Sequence, residues 1–469
     1  MKSIRTERPR NSCPITLIID DPTPCINPLY YFALQVPKSS TDYHYTKKDG
    51  KFYFDSDARF NFPIAKEVDE SFVHEFASWV KSTEVRGKFS LIPFPAGLGR
   101  VDKGLGGFPN ERVEDFLETV RNVICPKFDI CPELLTHTRA LDLRTKKLRN
   151  GVSEHDWSQK QKSKNLTKYI GFAFEILKNA GLTPSGVTSP CNFGMFVEGN
   201  YVTAISDAGR EILSSNLIWY FLDVDAQSLN VQHKIMRFDA ENGSAIVSII
   251  GSMNDPFWGS QFTSLGFDEW SKEKIDPILC SNVDGSISGR ISDLVNAGSY
   301  ATIVTHWQSL YSNGSRLGLK SLTELVTRIN SLLGEKILWL TCSEIAQYVA
   351  STVSAKFRVI ADEDNRSSMK IEISSPFDCR DFTFSFGTDM DPIRLILISE
   401  NNYQERELNR VSSTGELRPN SWYLASDGRT FVCLASLEKR QRRISYGVTK
   451  KIKKTMKKNE YCSTVSVSA

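Results

Sequence analysis

The chain has 469 residues, 40% of them apolar, enough to bury one large core and a smaller one beside it. Its formal net charge is +3, and without the six lysines between 450 and 458 the balance falls to −3, which excludes the basic stripe of a nucleic-acid binder. No apolar run spans a bilayer, the polar first ten residues make no signal peptide, and ten scattered cysteines without a C-x-x-C pair suit reduced thiols, so a cytoplasmic protein with no membrane partner is expected.

Residues 15–19, Ile-Thr-Leu-Ile-Ile, have the pattern of a strand buried on both faces. The strand runs into Asp20-Asp21-Pro22. A strand interior cannot hide two acids, so they belong at its C-terminal rim, where an α/β barrel places its chemistry. Adjacent acids point in different directions: one can bind a cation while the other handles a proton. A helix cap or an Asx-turn is the plainer alternative. Residues 27–65 are polar and rich in aromatics, and read as an insertion with short strands whose rings pack on the body or stack on sugars.

Helical spacing follows over residues 69–83, with His74 off the apolar stripe, and a second strand over 88–93 ends in a glycine-bearing loop. That loop lacks the Gly-Lys-Ser/Thr of a phosphate cradle. After a helix over 111–123, the third strand leads from Phe128 to Thr136-His137-Thr138-Arg139-Ala140-Leu141-Asp142. Glu154-His155-Asp156-Trp157 then opens the approach to a helix over 165–180. A fourth strand near 185–188 ends in Ser189-Pro190-Cys191-Asn192. Further strands are expected at 217–223, 245–250 and 300–306, the last closing on His306-Trp307, then at 336–341, with helices near 201–213, 284–296, 319–333 and 343–352 between them. Strands alternating with helices at this spacing describe an α/β chain, a distorted (β/α) barrel of seven or eight strands over residues 1–353. From about 354 to 448 the pattern changes to short strands and turns, a small C-terminal β-sandwich. The basic stretch 449–469 has little to bury and is expected to be disordered.

The rim gathers Asp20, Asp21, His137 and His306 from separate strands. Carboxylates and imidazoles on one face suit a mononuclear divalent-metal site, with Zn, Mn, Co or Fe as the ion and hydrolysis as the chemistry.

The same residues resemble the polysaccharide deacetylase (NodB homology) family. Ile19-Asp20-Asp21 is similar to its first motif, Thr136-His137-Thr138-Arg139-Ala140-Leu141 to its His-Ser/Thr-x-x-His motif, and Val304-Thr305-His306 to its Leu-x-His motif, over about residues 14–352. Gly87-Lys88-Phe89-Ser90, Gly186-Val187-Thr188-Ser189-Pro190 and residues 305–311 resemble an uncharacterised branch of that glycoside hydrolase/deacetylase superfamily. The resemblance implies a distorted, often seven-stranded barrel, with Asp20 as base, Asp21 and His137 as metal ligands and His306 as acid. Leu141 stands where the family has its second metal-binding His, so the third ligand falls to His155, with Asp142 as the alternative. Ser189 stands where an Arg precedes the proline, which leaves oxyanion support from that position open. Arg139, Trp307 and Asn192 are the expected substrate contacts. Hydrolysis of an N- or O-acyl group on a carbohydrate follows from this set. The rival readings are a glycosidase pairing Asp20 with Asp223, Asp225 or Asp255, and an inactive carbohydrate-binding protein.

Overall fold

The computed structural model describes residues 3–36, 45–54, 63–361, 368–387, 392–399, 405–437 and 442–448; the expected disordered tail, 449–469, lies outside them. The described chain is a mixed α/β structure with eleven α-helices. Before residue 340, eight described strands carry the parallel pairing: β1 (Cys13–Asp20), β2 (Gly87–Leu91), β3 (Phe128–Pro132), β4 (Gly186–Thr188), β5 (Leu217–Val224), β6 (Ser244–Gly251), β7 (Ala301–His306) and β8 (Ile337–Trp339). Every residue of β1 is buried, as its unbroken apolar run requires.

One sheet runs β7-β1-β2-β3, with β8 also on β1, and a second runs β4-β5-β6 with the antiparallel strand Lys234–Asp239 on its edge. Two isolated parallel bridges, Ile130 to Pro184 and Glu133 to Thr188, join β3 to β4. On the other side the Ser252 amide donates to the Thr302 carbonyl at 3.0 Å, leading from the end of β6 back to β7. Close strand approach needs glycine at Gly87, where a Cβ would sit 1.8 Å from the Leu17 carbonyl oxygen.

Helices cover these strands through the stripes that define them. Glu70–Ser82 starts at Asp69, whose carboxylate accepts from the Phe72 amide, and buries Phe72, Phe76, Trp79 and Val80. The helix Cys342–Ser354 starts with a reciprocal capping box between Thr341 and Glu344. Its residues Ile345, Ala346 and Val349 share a core with Trp219, Val247 and Ile249, while Tyr348 belongs to a separate core with Phe357, Phe382 and Phe384.

That separate core lies in the C-terminal strands, which form two five-stranded sheets. The strands expected from sequence at 357–360, 369–373, 382–386, 393–398 and 430–434 all lie within observed strands, and the one expected at 421–425 is observed as Ser421–Leu424. One strand comes from the N-terminal part of the chain: Ile4–Thr6 pairs antiparallel with Phe384 to Phe386 through partners such as Ile4 with Phe386. The Tyr348 hydroxyl donates to the Glu7 carbonyl at 2.6 Å and accepts from the Thr383 amide at 3.2 Å.

Three local expectations differ from the structure. The segment read as short strands contains the helix Pro28–Gln35, started by the Asn27 side chain and a proline at its first turn, besides the hairpin Tyr45–Lys48 and Lys51–Phe54. The helix expected over 284–296 begins only at Arg290, because Asp284 caps a tight turn through Ser286 instead. Leu141 lies in a hairpin, Arg139–Asp142 with Lys147–Ser153, which the sequence reading did not separate from the loop.

Candidate functional site

β1 and β7 run in register to their last residues, so Asp20 and His306 are direct neighbours across the sheet. Both line a cavity of about 500 Å³, together with Asp21, Glu133, His137 and Gln308. Asp20 is buried, and its Oδ1 accepts from the Ser90 hydroxyl at 3.0 Å and from the Lys88 ammonium. Lys88 is wholly buried and also donates to Ser90 and Thr188 at 2.5 Å each. Burial alone would strip its proton, but the charges of Asp20 and Glu133 hold its pKa above the usual value.

Past Asp20 the chain turns through Asp21 at φ 68°, a left-handed conformation that aims the second carboxylate into the cavity. Asp21 Oδ2 accepts from the Gln308 amide at 2.6 Å, and Oδ1 lies 2.7 Å from His137 Nε2. Among the described residues, His137 Nδ1 is buried without a hydrogen-bond partner. Burial favours a neutral Asp21, but the positive field of His137, its contact and then His306 push its pKa below the carboxylate range.

Glu133 follows β3 directly, and its Oε2 accepts from the Asp21 amide at 3.1 Å. Burial, with Asp20 and Asp21 beside it, raises its pKa well above the ordinary value. One ligand atom each from Asp21, Glu133 and His137 lies within 4.8 Å of the other two. Two converging carboxylates and an imidazole whose Nδ1 is buried without a partner suit a divalent cation, whose charge would relieve the crowding.

His137 also sits at positive φ, 56°. Its turn is held by a buried carboxylate: Glu154 accepts from the amides of Thr136 at 3.1 Å and His137 at 2.8 Å, and from the Tyr169 hydroxyl at 2.5 Å. Cys191 and Asn192, which also line the cavity, are left-handed as well. Four strained non-glycine residues around one cavity is the pattern of a functional site.

His306 Nδ1 lies 2.9 Å from Asp255 Oδ2, which also accepts from the His306 amide at 3.1 Å. Burial works against its charge, but the Asp255 hydrogen bond and the fields of Asp21, Asp255 and Asp20 raise its pKa to about 9. Trp258 meets its ring edge-on at 5.2 Å and lines the cavity.

Of the residues expected from sequence, Asp20, Asp21, His137, His306 and Asn192 all line this cavity. The others are placed elsewhere. His155 is outside the group of converging ligands among the described residues; its ring contacts Gln159 at 3.3 Å and Phe196 at 6.4 Å. Asp142 caps the surface turn at Arg144 and Thr145. Arg139 lies on the hairpin and reaches toward Asn150 at 3.4 Å. Trp307 cannot touch a sugar: it is 0% exposed, with Phe72 and Phe76 rings 4.6 and 5.1 Å away. The helix Trp307–Tyr311 begins immediately after His306 and turns the indole inward. Asp223 and Asp225 do not line the cavity, whereas Asp255 does.

Sequence reasoning missed Glu133, Lys88 and Gln308. The available signals were an acid at the end of an apolar run and a lysine inside one, both of which also occur at ordinary strand ends.

No family model matches the chain, and no curated protein matches it. Among solved structures, a GH30 xylanase C catalytic domain from Talaromyces cellulolyticus aligns over 95% of this chain and 100% of that one, at 6% identity and a TM-score of 0.22. N2152 from Neocallimastix frontalis aligns over 81% of this chain and 75% of that one, at 10% identity and a TM-score of 0.21. Likenesses this slight carry no argument about fold or activity.

Proposed function

We propose that this chain is a metal-dependent hydrolase that removes N- or O-acyl groups from a carbohydrate. The observation that carries the reading is the convergence of Asp21, Glu133 and His137 in a cavity shared with the His306–Asp255 pair. Glu133 takes the place proposed for His155. The strands β7-β1-β2-β3-β4-β5-β6 are read as a distorted seven-stranded barrel and the C-terminal sheets as a sandwich. The division at 353/354 is kept as a proposal, with Ile4–Thr6 crossing it.

Asp21, Glu133 and His137 would hold the ion. With two oxygen donors and one imidazole, Mn, Co, Fe and Zn all suit the set. When bound, a divalent ion supplies Lewis acidity and acidifies water. Asp20 is the proton acceptor: Lys88 and Ser90 occupy its Oδ1, which leaves Oδ2 for the attacking water. His306, kept protonated by Asp255, delivers a proton to the departing nitrogen or oxygen. Trp258 and Asn192 offer an apolar face and an amide to the sugar. The substrate class rests on the motif resemblance; the site itself supports the hydrolytic chemistry.

The test is acetate release from acetylated saccharides by purified protein supplied with Zn, Mn or Co. Release that Asp20→Asn and His306→Ala both abolish is expected; release unaffected by either substitution would remove both assigned roles.

A second reading has one specific observation behind it. Asp21 is pushed down and Glu133 pushed up, the separation of roles that a glycosidase uses in its carboxylate pair. New reducing ends without acetate, undiminished by chelation, would favour it.

Cytoplasmic location also remains proposed. Among the described residues no helix is long and apolar enough to cross a membrane, and the nine described cysteines are free.

A further inference from the structure

Beside the cavity wall lies an aromatic ledge that the reaction does not use. Its ring is Phe196, 76% exposed, next to Met195 at 41%. Single exposed apolar residues are ordinary, but this one is held in place from beneath. The Phe196 amide donates to Gln159 Oε1 at 2.7 Å, and the Gly194 amide donates to Ser158 Oγ at 2.9 Å. Gln159 Nε2 donates to the Asn192 carbonyl at 3.0 Å and lies 3.3 Å from His155 Nδ1. One amide side chain therefore touches the cavity wall at Asn192 and the base of Phe196. His155 meets the Phe196 ring at 6.4 Å with the planes 73° apart.

We propose that Phe196, flanked by His155 and Met195, is a stacking platform for a further sugar unit of the chain whose reacting unit occupies the cavity. A pyranose presents a face of C–H groups to an aromatic ring and hydroxyls at its edge. The His155 imidazole at the ledge and the Asn192 side chain at the wall can meet those hydroxyls. Because the backbone under the ring is already fixed, stacking costs little ordering entropy. The ledge is continuous with the cavity through Asn192, so a neutral oligosaccharide is the occupant rather than a separate protein. This subsite rests on the carbohydrate part of the proposed function.

The test uses two soluble polymers, acetylated xylan and glycol chitin, in affinity electrophoresis, with 4-nitrophenyl acetate as a substrate that carries no sugar. At least one polymer is expected to retard the wild type. Phe196→Ala should weaken that retardation roughly fivefold to tenfold and Phe196→Trp should keep it, while both leave the melting temperature and the hydrolysis of 4-nitrophenyl acetate unchanged. Equal retardation of Phe196→Ala and wild type by every polymer that binds, or no retardation of the wild type by either, overturns the proposal. Retardation that depends on Phe196 in a protein that releases no acetate from either polymer sinks the acyl-hydrolase reading and leaves the subsite standing.

Discussion

Burial alone would leave His306 neutral, yet the Asp255 carboxylate and the charges of Asp21 and Asp20 raise its pKa from 6.5 to about 9. A proton donor of that kind stays charged through neutral pH. Activity is therefore expected to hold up to about pH 9 and then fall, and Asp255→Asn should draw the basic limb down toward the free-imidazole value near 6.5; an unmoved limb would remove His306 as the donor. The same shift acts on stability. The folded pKa lies above the unfolded one, so the contribution is fully present below pH 6.5 and is lost as pH rises through about 9. Urea midpoints measured across that window should decline, and decline less in Asp255→Asn. A second charge is more exacting. Lys88 is 0% exposed and paired with Asp20, so Lys88→Met strands a carboxylate in the interior, at about 3–5 kcal/mol by chemical denaturation. Asp20→Asn in the same chain should recover much of that loss, and failure to recover it would mean that Lys88 acts through packing alone.

At the scale of elements, the strand ends place the chemistry and the short helices after them decide which side chains reach it. Trp307 shows the second effect. It follows a cavity histidine, but the helix phase sends it among Phe72, Phe76, Phe89 and Phe116. Trp307→Ala should therefore act on folding, lowering stability by about 3–5 kcal/mol. At a temperature where the variant stays folded, KM for a saccharide substrate should be unchanged; a raised KM in a stable variant would return Trp307 to the sugar. The same distinction explains what was legible in the sequence. Asp20, Asp21, His137 and His306 were visible because each is a charged or titratable residue that ends or follows an apolar strand. Glu133 was not, because its role depends on β3 lying two strands from β1, and nothing local in the sequence specifies that register. The pair Glu154 and His155 fails for a similar reason. On the first turn of the short helix Glu154–Ser158 the acid faces inward to the amides of Thr136 and His137, while the histidine faces Phe196. Most of the alternating strands and helices were readable, since their periodicity is a property of neighbouring residues; the helix Pro28–Gln35 was not, because aromatic residues there read as short strands.

Across the whole molecule, the first described residues meet the C-terminal sheets. Ile4–Thr6 completes a C-terminal sheet, Arg10 pairs with Asp381 at 2.9 Å, and Tyr348 ties Glu7 to Thr383 from the helix between the cores. Tyr348→Phe removes that tie and leaves a buried amide and a carbonyl short of a partner, so a loss of about 1–3 kcal/mol is expected. Metal binding in this variant should match the wild type, because the ligands stand on the opposite core; lost metal would mean that the two cores are coupled.

The central claim is that Asp21, Glu133 and His137 hold a divalent ion. Elemental analysis of the wild type, Glu133→Gln and His155→Ala, each dialysed against Zn and then against metal-free buffer, tests it most directly. The expected result is about one ion per chain in the wild type and in His155→Ala, a single site of the kind such donor sets form, with the ion lost from Glu133→Gln. Metal retained by Glu133→Gln but lost from His155→Ala, or no metal in any of the three, would contradict it.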